Sequence, residues 1–149
     1  MKAMQRSSLS RPALLLTLAV CAACGKKGDP VPRPPVPPKA VEAHLGALRV
    51  LEVRMPLEDV KGEKLQGFEA VRVLYLPLGL VRPTAEEVFS KGQVVLERGR
   101  PDVPAPGETV RLDLSRLERP SGWLVVVAVR AGKVAGRPSE PVPWLNPAL

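Results

Sequence analysis

The chain has 149 residues with 45% hydrophobic and 3% aromatic side chains, and its 22 basic and 15 acidic residues give a formal charge of +7. This length holds one modest domain with accessory segments and excludes a large multi-domain enzyme. Residues 40–149 carry fifteen of the basic and fourteen of the acidic side chains. Because this part is nearly neutral, it is a poor match for a nucleic-acid backbone, and we expect no nucleic-acid partner.

The first 23 residues have the pattern of a secretion signal. Lys2, Arg6 and Arg11 precede an apolar run over residues 13–23, and the segment contains no acidic residue. The run is about half as long as the roughly 20 residues that a helix needs to span hydrocarbon, which argues against a permanent transmembrane helix. We therefore expect residues 1–23 to be a signal peptide that is cleaved.

A cysteine follows small residues at the end of this signal. Cys24 stands after Ala22 and Ala23 and before Gly25, and the segment resembles the lipobox of bacterial lipoproteins. The resemblance implies that Cys24 receives a diacylglyceryl thioether and, after cleavage, an acylated amino group, which together anchor a protein stably to a bilayer. It also implies a location in the cell envelope. Gly25 resembles the sorting pattern for the outer membrane, on its periplasmic face, if the organism is Gram-negative.

The other cysteine, Cys21, leaves with the signal in this interpretation. The mature chain then keeps one cysteine whose sulfur carries lipid, so an intramolecular disulfide is excluded. The alternative is that Cys21 and Cys24 form a redox or metal motif with two residues between them. The apolar surroundings of the pair favour the lipidation site.

Residues 24–39 form what we call the tether. Six prolines fall within residues 30–38, so the segment favours polyproline II over helix or interior strand. At about 3.1 Å per residue it reaches roughly 45 Å, which suits a spacer. Recognition by an aromatic groove of a partner is the alternative. We expect Lys26 and Lys27 to contact anionic headgroups next to the lipid.

From residue 40 onward, short apolar runs alternate with turn signals, as in an all-β sandwich. In the first run a bulge at Val50 and Leu51 would place Leu48 on the core face. Thr84 and Glu87 have capping-box spacing and predict a short helix that ends at Gly92. Prolines confine the last run to a sheet edge. The predicted strands are residues 48–55, 67–75, 93–97, 109–115 and 123–131, followed by the run that ends at Pro141, Pro143 and Pro147.

Three segments resemble fibronectin type III modules. Residues 67–72 are similar to the third strand of that family, residues 127–131 to its sixth strand, and residues 136–142 to the turn and last strand. The resemblance implies a fibronectin type III or immunoglobulin-like sandwich over residues 40–149, with the short helix as an insertion. The core tryptophan of the family falls near Val53, and we expect Trp123 to supply that volume.

The residues offer little for catalysis. His44 is the only imidazole, so neither a histidine-based triad nor a histidine metal cluster can be assembled, and we expect no metal, no cofactor and no enzymatic activity. The pairs Glu58-Asp59 and Glu86-Glu87 are typical of a solvated turn and of helix N-terminal charge. Trp144, flanked by prolines, is the best candidate for an exposed contact with a partner.

These observations predict a secreted, lipid-anchored envelope lipoprotein whose β-sandwich is a non-catalytic binding or structural module. Its partners would be the membrane, through the lipid on Cys24, and an envelope protein. The alternative is an assembly or accessory factor for an envelope protein machine, which would use the tether or an edge strand to extend a partner sheet.

Overall fold

A computed structural model describes residues 33–146. The predicted signal peptide, Cys24, Lys26 and Lys27 lie outside the described residues. The described part consists of eight strands, one turn of 3-10 helix and one α-helix. The strands are β1 (Glu42–Leu45), β2 (Val50–Arg54), β3 (Ala70–Pro77), β4 (Gln93–Gly99), β5 (Thr109–Asp113), β6 (Gly122–Arg130), β7 (Val134–Ala135) and β8 (Val142–Trp144), and helix α1 (Ala85–Lys91) lies between β3 and β4.

The strands form two antiparallel sheets. One sheet has the order β1-β2-β5, and the other has the order β4-β3-β6-β7 with β8 also paired to β6. Strands β7 and β8 share one edge, each pairing with a different half of β6. The all-β, sandwich-like architecture expected from the alternating runs is therefore confirmed, and so is the position of the last strand at an edge.

The main core lies between the two sheets because each strand turns alternate side chains inward. From the first sheet come Leu51, Val53 and Leu112, and β3 and β6 supply the opposite wall. The other face of β6 is covered as well, since Val125 and Val127 pack with Val88 of α1. Burial on both faces explains why β6 reads as a nearly unbroken apolar run.

Helix α1 begins with the predicted capping box. The Glu87 backbone N–H donates to Thr84 Oγ1 at 3.2 Å, and the Thr84 N–H donates to Glu87 Oε2 at 3.0 Å. The helix ends at Gly92, whose N–H donates to the Val88 carbonyl at 2.8 Å. Glu86 and Glu87 occupy the first turn, where they offset the positive end of the helix dipole as expected.

The bulge expected at Val50 and Leu51 is wrong. A hairpin turn closes there, with the Gly46 N–H donating to the Val50 carbonyl at 2.8 Å, and β2 begins only at Val50. Leu48 therefore belongs to the turn, where its φ is 58° and its side chain is 88% exposed. The apolar run in the sequence continues across a chain reversal, so its first leucine points outward instead of into the core.

The two tryptophans have the opposite of their expected roles. Trp144 is fully buried in the main core, so the expectation that it is an exposed contact is wrong. Trp123 is half-buried on the other face of its sheet, against the cluster under α1, and does not supply the core volume. The physical reason is strand alternation: Val142 and Trp144 of β8 point inward, and Pro143 between them points to solvent.

Candidate functional site

The described domain is one compact unit that begins at Pro34, and it has two ends. Strand β3 runs from one end to the other and β6 returns beside it. We call the end that receives the tether the proximal pole; it comprises residues 36–41, 55–69 and 131–138. We call the opposite end the distal pole; it comprises loops 46–49, 77–84, 114–121 and 145–146. Loops at the ends of strands are where sandwich proteins carry binding residues.

The last residues of the tether are part of the proximal pole. Pro38 is buried, and its carbonyl accepts a 3.0 Å hydrogen bond from the Arg137 N–H. The Val60 N–H donates to the Pro37 carbonyl at 3.0 Å, and the Lys39 N–H donates to the Glu58 carbonyl at 3.1 Å. The chain is therefore already held by backbone hydrogen bonds before residue 40, where the sequence places the start of the domain.

A buried carboxylate organises this attachment. Arg130 Nη1 donates to the Val36 carbonyl at 2.6 Å and lies 3.8 Å from Asp59 Oδ2. Asp59 Oδ1 also accepts from the N–H groups of Lys61 and Glu63, at 2.9 and 3.0 Å. Asp59 is only 2% exposed, so the expectation of a solvated turn is wrong for this residue. Burial is tolerated because the carboxylate has both a cation and two donors.

At the distal pole, a set of polar bonds holds Trp144 in place. The Trp144 indole N–H donates to the Arg119 carbonyl at 3.1 Å, and Asn146 Nδ2 donates to the same oxygen at 2.9 Å. Arg49 Nη2 donates to Asn146 Oδ1 at 3.0 Å. Loops from both sheets are therefore fastened around the buried indole.

Tyr75 adds a further fastening to the same loop. Its hydroxyl donates to the Pro120 carbonyl at 3.0 Å, and the Arg119 guanidinium lies 5.9 Å from the ring centroid. Burial raises the pKa of the Tyr75 hydroxyl above its ordinary value of 10.0, and the charge of Arg119 opposes this shift in part. The phenol therefore stays protonated and serves as a hydrogen-bond donor.

The distal pole exposes apolar side chains. Of the seven large hydrophobic residues that are exposed in the described part of the chain, five lie in its loops. Single exposed leucines are ordinary on protein surfaces, whereas these five residues are concentrated at one end of the domain. These residues are Leu48 (88% exposed), Leu78 (55%), Leu80 (107%), Val81 (79%) and Leu145 (69%).

The described residues show no catalytic arrangement. His44 is exposed on β1 opposite Glu52, and the Glu52 carboxylate accepts a 3.0 Å hydrogen bond from Arg111 Nε. A depression of about 250 Å³ lies between loop 77–84 and α1. Its charged residues are Arg82, Glu87 and Lys91, and the last two pair with each other at 3.8 Å. Between residues 33 and 146, no group of three or more His, Cys, Asp or Glu side chains is placed to hold a metal ion. No helix in that range is long and apolar enough to span a bilayer.

Comparison with known proteins finds no relative for this chain. No family model matches it, and neither a curated protein nor a solved structure matches it.

Sequence reasoning missed two features of the site. The pairing of Arg130 with Asp59 joins residues far apart in the chain, which a strand pattern does not reveal. One signal was present: Asp59 stands three residues before Gly62, whose φ of 86° makes the turn that brings N–H groups to the carboxylate. The second feature is the set of polar bonds that holds Trp144. Its one signal in the sequence was the apolar–proline–apolar alternation of Val142, Pro143 and Trp144.

Proposed function

We propose that this chain is a lipid-anchored envelope lipoprotein whose β-sandwich acts as a non-catalytic binding or structural module. The cationic start, the short apolar run and Cys24 after two alanines support the anchor. The sandwich carries no constellation suited to bond chemistry in its described residues, and this supports a role in binding or structure.

One observation carries the proposal: the chain from the tether is fastened at one pole, while the exposed apolar residues lie at the other. Val36 is held by Arg130, and five exposed apolar residues lie in the loops of the distal pole. A spacer that joins one end of a rigid domain leaves the opposite end free for contact. This is the arrangement expected of a module whose contact surface is separate from its point of attachment.

The sandwich is proposed to be of the fibronectin type III or immunoglobulin-like type. A three-stranded sheet of order β1-β2-β5 facing a sheet of order β4-β3-β6 with a split last strand supports this type. The short helix between β3 and β4 is then an insertion. A solved structure whose connections differ from this order would overturn the assignment.

Radiolabelled palmitate tests the anchor. In cells that express the chain, label should enter the wild type and should be lost in Cys24→Ser, with the protein leaving the membrane fraction or remaining as unprocessed precursor. Cys21→Ser is the matched control, because its cysteine lies in the part that is cleaved, and it should be labelled as the wild type. Equal labelling of the two variants would contradict Cys24 as the acceptor.

The outer membrane is the proposed location in a Gram-negative organism, because Gly25 follows the cysteine. Separation of the two membranes on a density gradient tests this, and the chain should travel with outer-membrane markers. Replacing Gly25 with Asp should move it towards the inner membrane. Wild-type protein found only with inner-membrane markers would contradict the sorting.

A second candidate function is that of an accessory factor for an envelope protein machine. The observation that favours it is strand β4, which forms a sheet edge and exposes 53% of Val94. An unpaired edge can receive a strand from a partner. A photo-crosslinker at Val94 should then capture one recurrent protein in intact cells, and the same crosslinker at Leu57 should not. Equal products from both positions would contradict augmentation at this edge.

A further inference from the structure

The apolar tips of the distal pole are held side by side by hydrogen bonds. The Leu78 N–H donates to the Ser121 carbonyl at 3.2 Å, and the Asn146 N–H donates to Ser121 Oγ at 3.0 Å. Asn146 is joined in turn to Arg49, the neighbour of Leu48. Loops 46–49, 77–84 and 145–146 are therefore brought together around loop 114–121, and their exposed leucines belong to one surface.

The hairpin tip at this pole has an unusual backbone. Leu48 and Arg49 both have left-handed conformations, with φ of 58° and 60°. Side chains other than glycine are disfavoured there, so the surrounding contacts must hold the turn in place. Arg49 provides them by stacking over Trp144 and by bonding to Asn146. The result is a fixed turn that presents Leu48 to solvent.

Cations accompany the apolar tips. Three of the arginines are stacked on aromatic rings: Arg49 on Trp144, Arg82 on Trp123 at 5.4 Å, and Arg119 on Tyr75. Stacking holds each guanidinium in place and does not change its positive charge. The charged residues of the distal pole are Arg49, Arg82, Arg116 and Arg119 against the single acid Glu118.

The acids next to this surface are Glu86, Glu87 and Asp113. Asp113, at the end of β5, accepts from the Ser115 N–H at 2.8 Å, and Ser115 holds the pKa of Asp113 below its ordinary value. Glu87 of α1 accepts from Thr84 and pairs with Lys91. Hydrogen bonding leaves Asp113 charged, so the four arginines face Glu118, Asp113 and Glu86, while Glu87 is paired with Lys91. The distal pole is thus apolar with a small excess of positive charge.

We infer that the distal pole docks on the anionic phospholipid bilayer that carries this protein's own lipid, an inference that rests on the proposed anchor at Cys24. Leucine tips enter the boundary between headgroups and acyl chains, and neighbouring arginines neutralise anionic headgroups. The leucine tips project from three separate loops, while Val81 lines the depression between loop 77–84 and α1. Leucine tips on separate loops suit a fluid bilayer, which needs no matching shape.

The chain between the anchor and the domain is long enough for this contact. Twelve peptide units separate Cys24 from Val36, and at about 3.1 Å each they reach roughly 37 Å. The nine residues of β6 span about 30 Å at roughly 3.3 Å per residue, which is within this reach. The lipid also confines the domain near the surface, and this raises the effective concentration of the distal pole at the bilayer.

Fluorescence of the native tryptophans can test the docking. The chain has two tryptophans, Trp123 and Trp144, and both lie next to the distal pole. The full lipidated chain, purified from cells, is reconstituted into phosphatidylcholine vesicles or into an equimolar mixture with phosphatidylglycerol, each with brominated acyl chains. We expect quenching in the mixed vesicles, little quenching in pure phosphatidylcholine, and relief of quenching by salt.

Matched variants separate the distal pole from the rest of the surface. Leu80→Ser changes a fully exposed tip without disturbing the core. It should lower the ratio of docked to undocked protein about tenfold, because a leucine that enters the bilayer binds mainly through burial of its hydrocarbon. Arg116→Glu should lower the ratio at least about fivefold through headgroup charge. Leu57→Ser is the control, since Leu57 is 59% exposed at the proximal pole, and it should leave quenching unchanged.

The outcomes distinguish failure of the docking from failure of the anchor. Protein that floats with the vesicles but shows no quenching in the mixed lipid overturns the docking and leaves the anchor intact. Failure of the protein to float with pure phosphatidylcholine vesicles overturns the proposed anchor. Addition of the same protein to brominated mixed vesicles then still tests whether the distal pole docks. Quenching only by a second, brominated vesicle population would contradict docking on the protein's own bilayer. Equal effects of Leu57→Ser and Leu80→Ser on quenching would also overturn the inference.

Discussion

Arg49 lies over the indole of Trp144, with its guanidinium carbon 5.1 Å from the ring centroid. Arg49 belongs to the β1–β2 turn of one sheet, and Trp144 ends the last strand of the other sheet. The backbone of the arginine is held as well, because its carbonyl accepts a 3.0 Å hydrogen bond from the Leu114 N–H. This contact closes the distal end of the core and positions the loops that carry the exposed leucines.

Trp144→Ala should destabilise the protein by about 3–5 kcal/mol, because it empties a fully buried site in the main core. Trp123→Ala is the matched control and should destabilise the protein less, since Trp123 is half-buried against the cluster under α1. Urea unfolding of the two variants, followed by circular dichroism, measures the difference. A greater loss for Trp123→Ala would contradict the assignment of the core tryptophan.

Stability should fall at alkaline pH because the pKa of Tyr75 is raised by burial. The unfolded chain loses the phenol proton near the ordinary pKa of 10.0, whereas the folded protein keeps it to higher pH. The stabilising effect is complete below that value and is lost as pH rises through the folded pKa. Tyr75 is the only tyrosine, so tyrosinate absorbance reports on it alone. A folded protein that ionises at or below pH 10.0 would contradict this account.

Arg130→Met should loosen the end of the tether without unfolding the sandwich. The variant loses the 2.6 Å bond to the Val36 carbonyl and leaves Asp59 without its cation. Exchange of the Lys39 and Val60 amides with deuterium should accelerate about tenfold or more, since a hydrogen bond to a charged group contributes roughly 1.5 kcal/mol. Arg137→Met, with an exposed side chain, should leave these amides unchanged. Protection equal to that of the wild type in Arg130→Met would show that the arginine does not hold the segment.

Thr84→Ala should lower stability by about 1 kcal/mol because the Glu87 N–H loses its bond to the threonine hydroxyl, while the backbone N–H of residue 84 can still donate to Glu87 Oε2. Ser90→Ala is the control on the same helix, since its hydroxyl makes a single exposed 3.3 Å bond to the Glu87 carbonyl. We expect the control to change stability by no more than a few tenths of a kcal/mol. The measurement is the midpoint of urea unfolding, and equal midpoints for the two variants would argue against the capping box.

Local patterns in the sequence predicted the elements well. Strand β5 has Leu112 buried and Arg111 exposed, as its alternation indicates, and the capping box marks the start of α1. Such features depend on neighbours within a few residues, which the sequence shows directly. The error at Leu48 arose because an apolar run carries no mark of the chain reversal inside it.

Features that join distant parts of the chain could not be predicted in this way. The partner of Asp59 is Arg130, and Arg49 meets Trp144 from the other sheet. Each pair depends on how the sheets face each other, so it follows only from the three-dimensional arrangement. The prolines that flank Trp144 in the sequence suggested a surface position, although the period-two alternation of β8 gave the correct inward direction.

The central claim is the lipid anchor, and intact mass analysis of the chain extracted from isolated membranes tests it most directly. The account predicts a mature chain that begins at Cys24 and carries the mass of a diacylglyceryl group and one further acyl chain. A chain that still holds residues 1–23, or one that is water-soluble and has an unmodified cysteine, would contradict it.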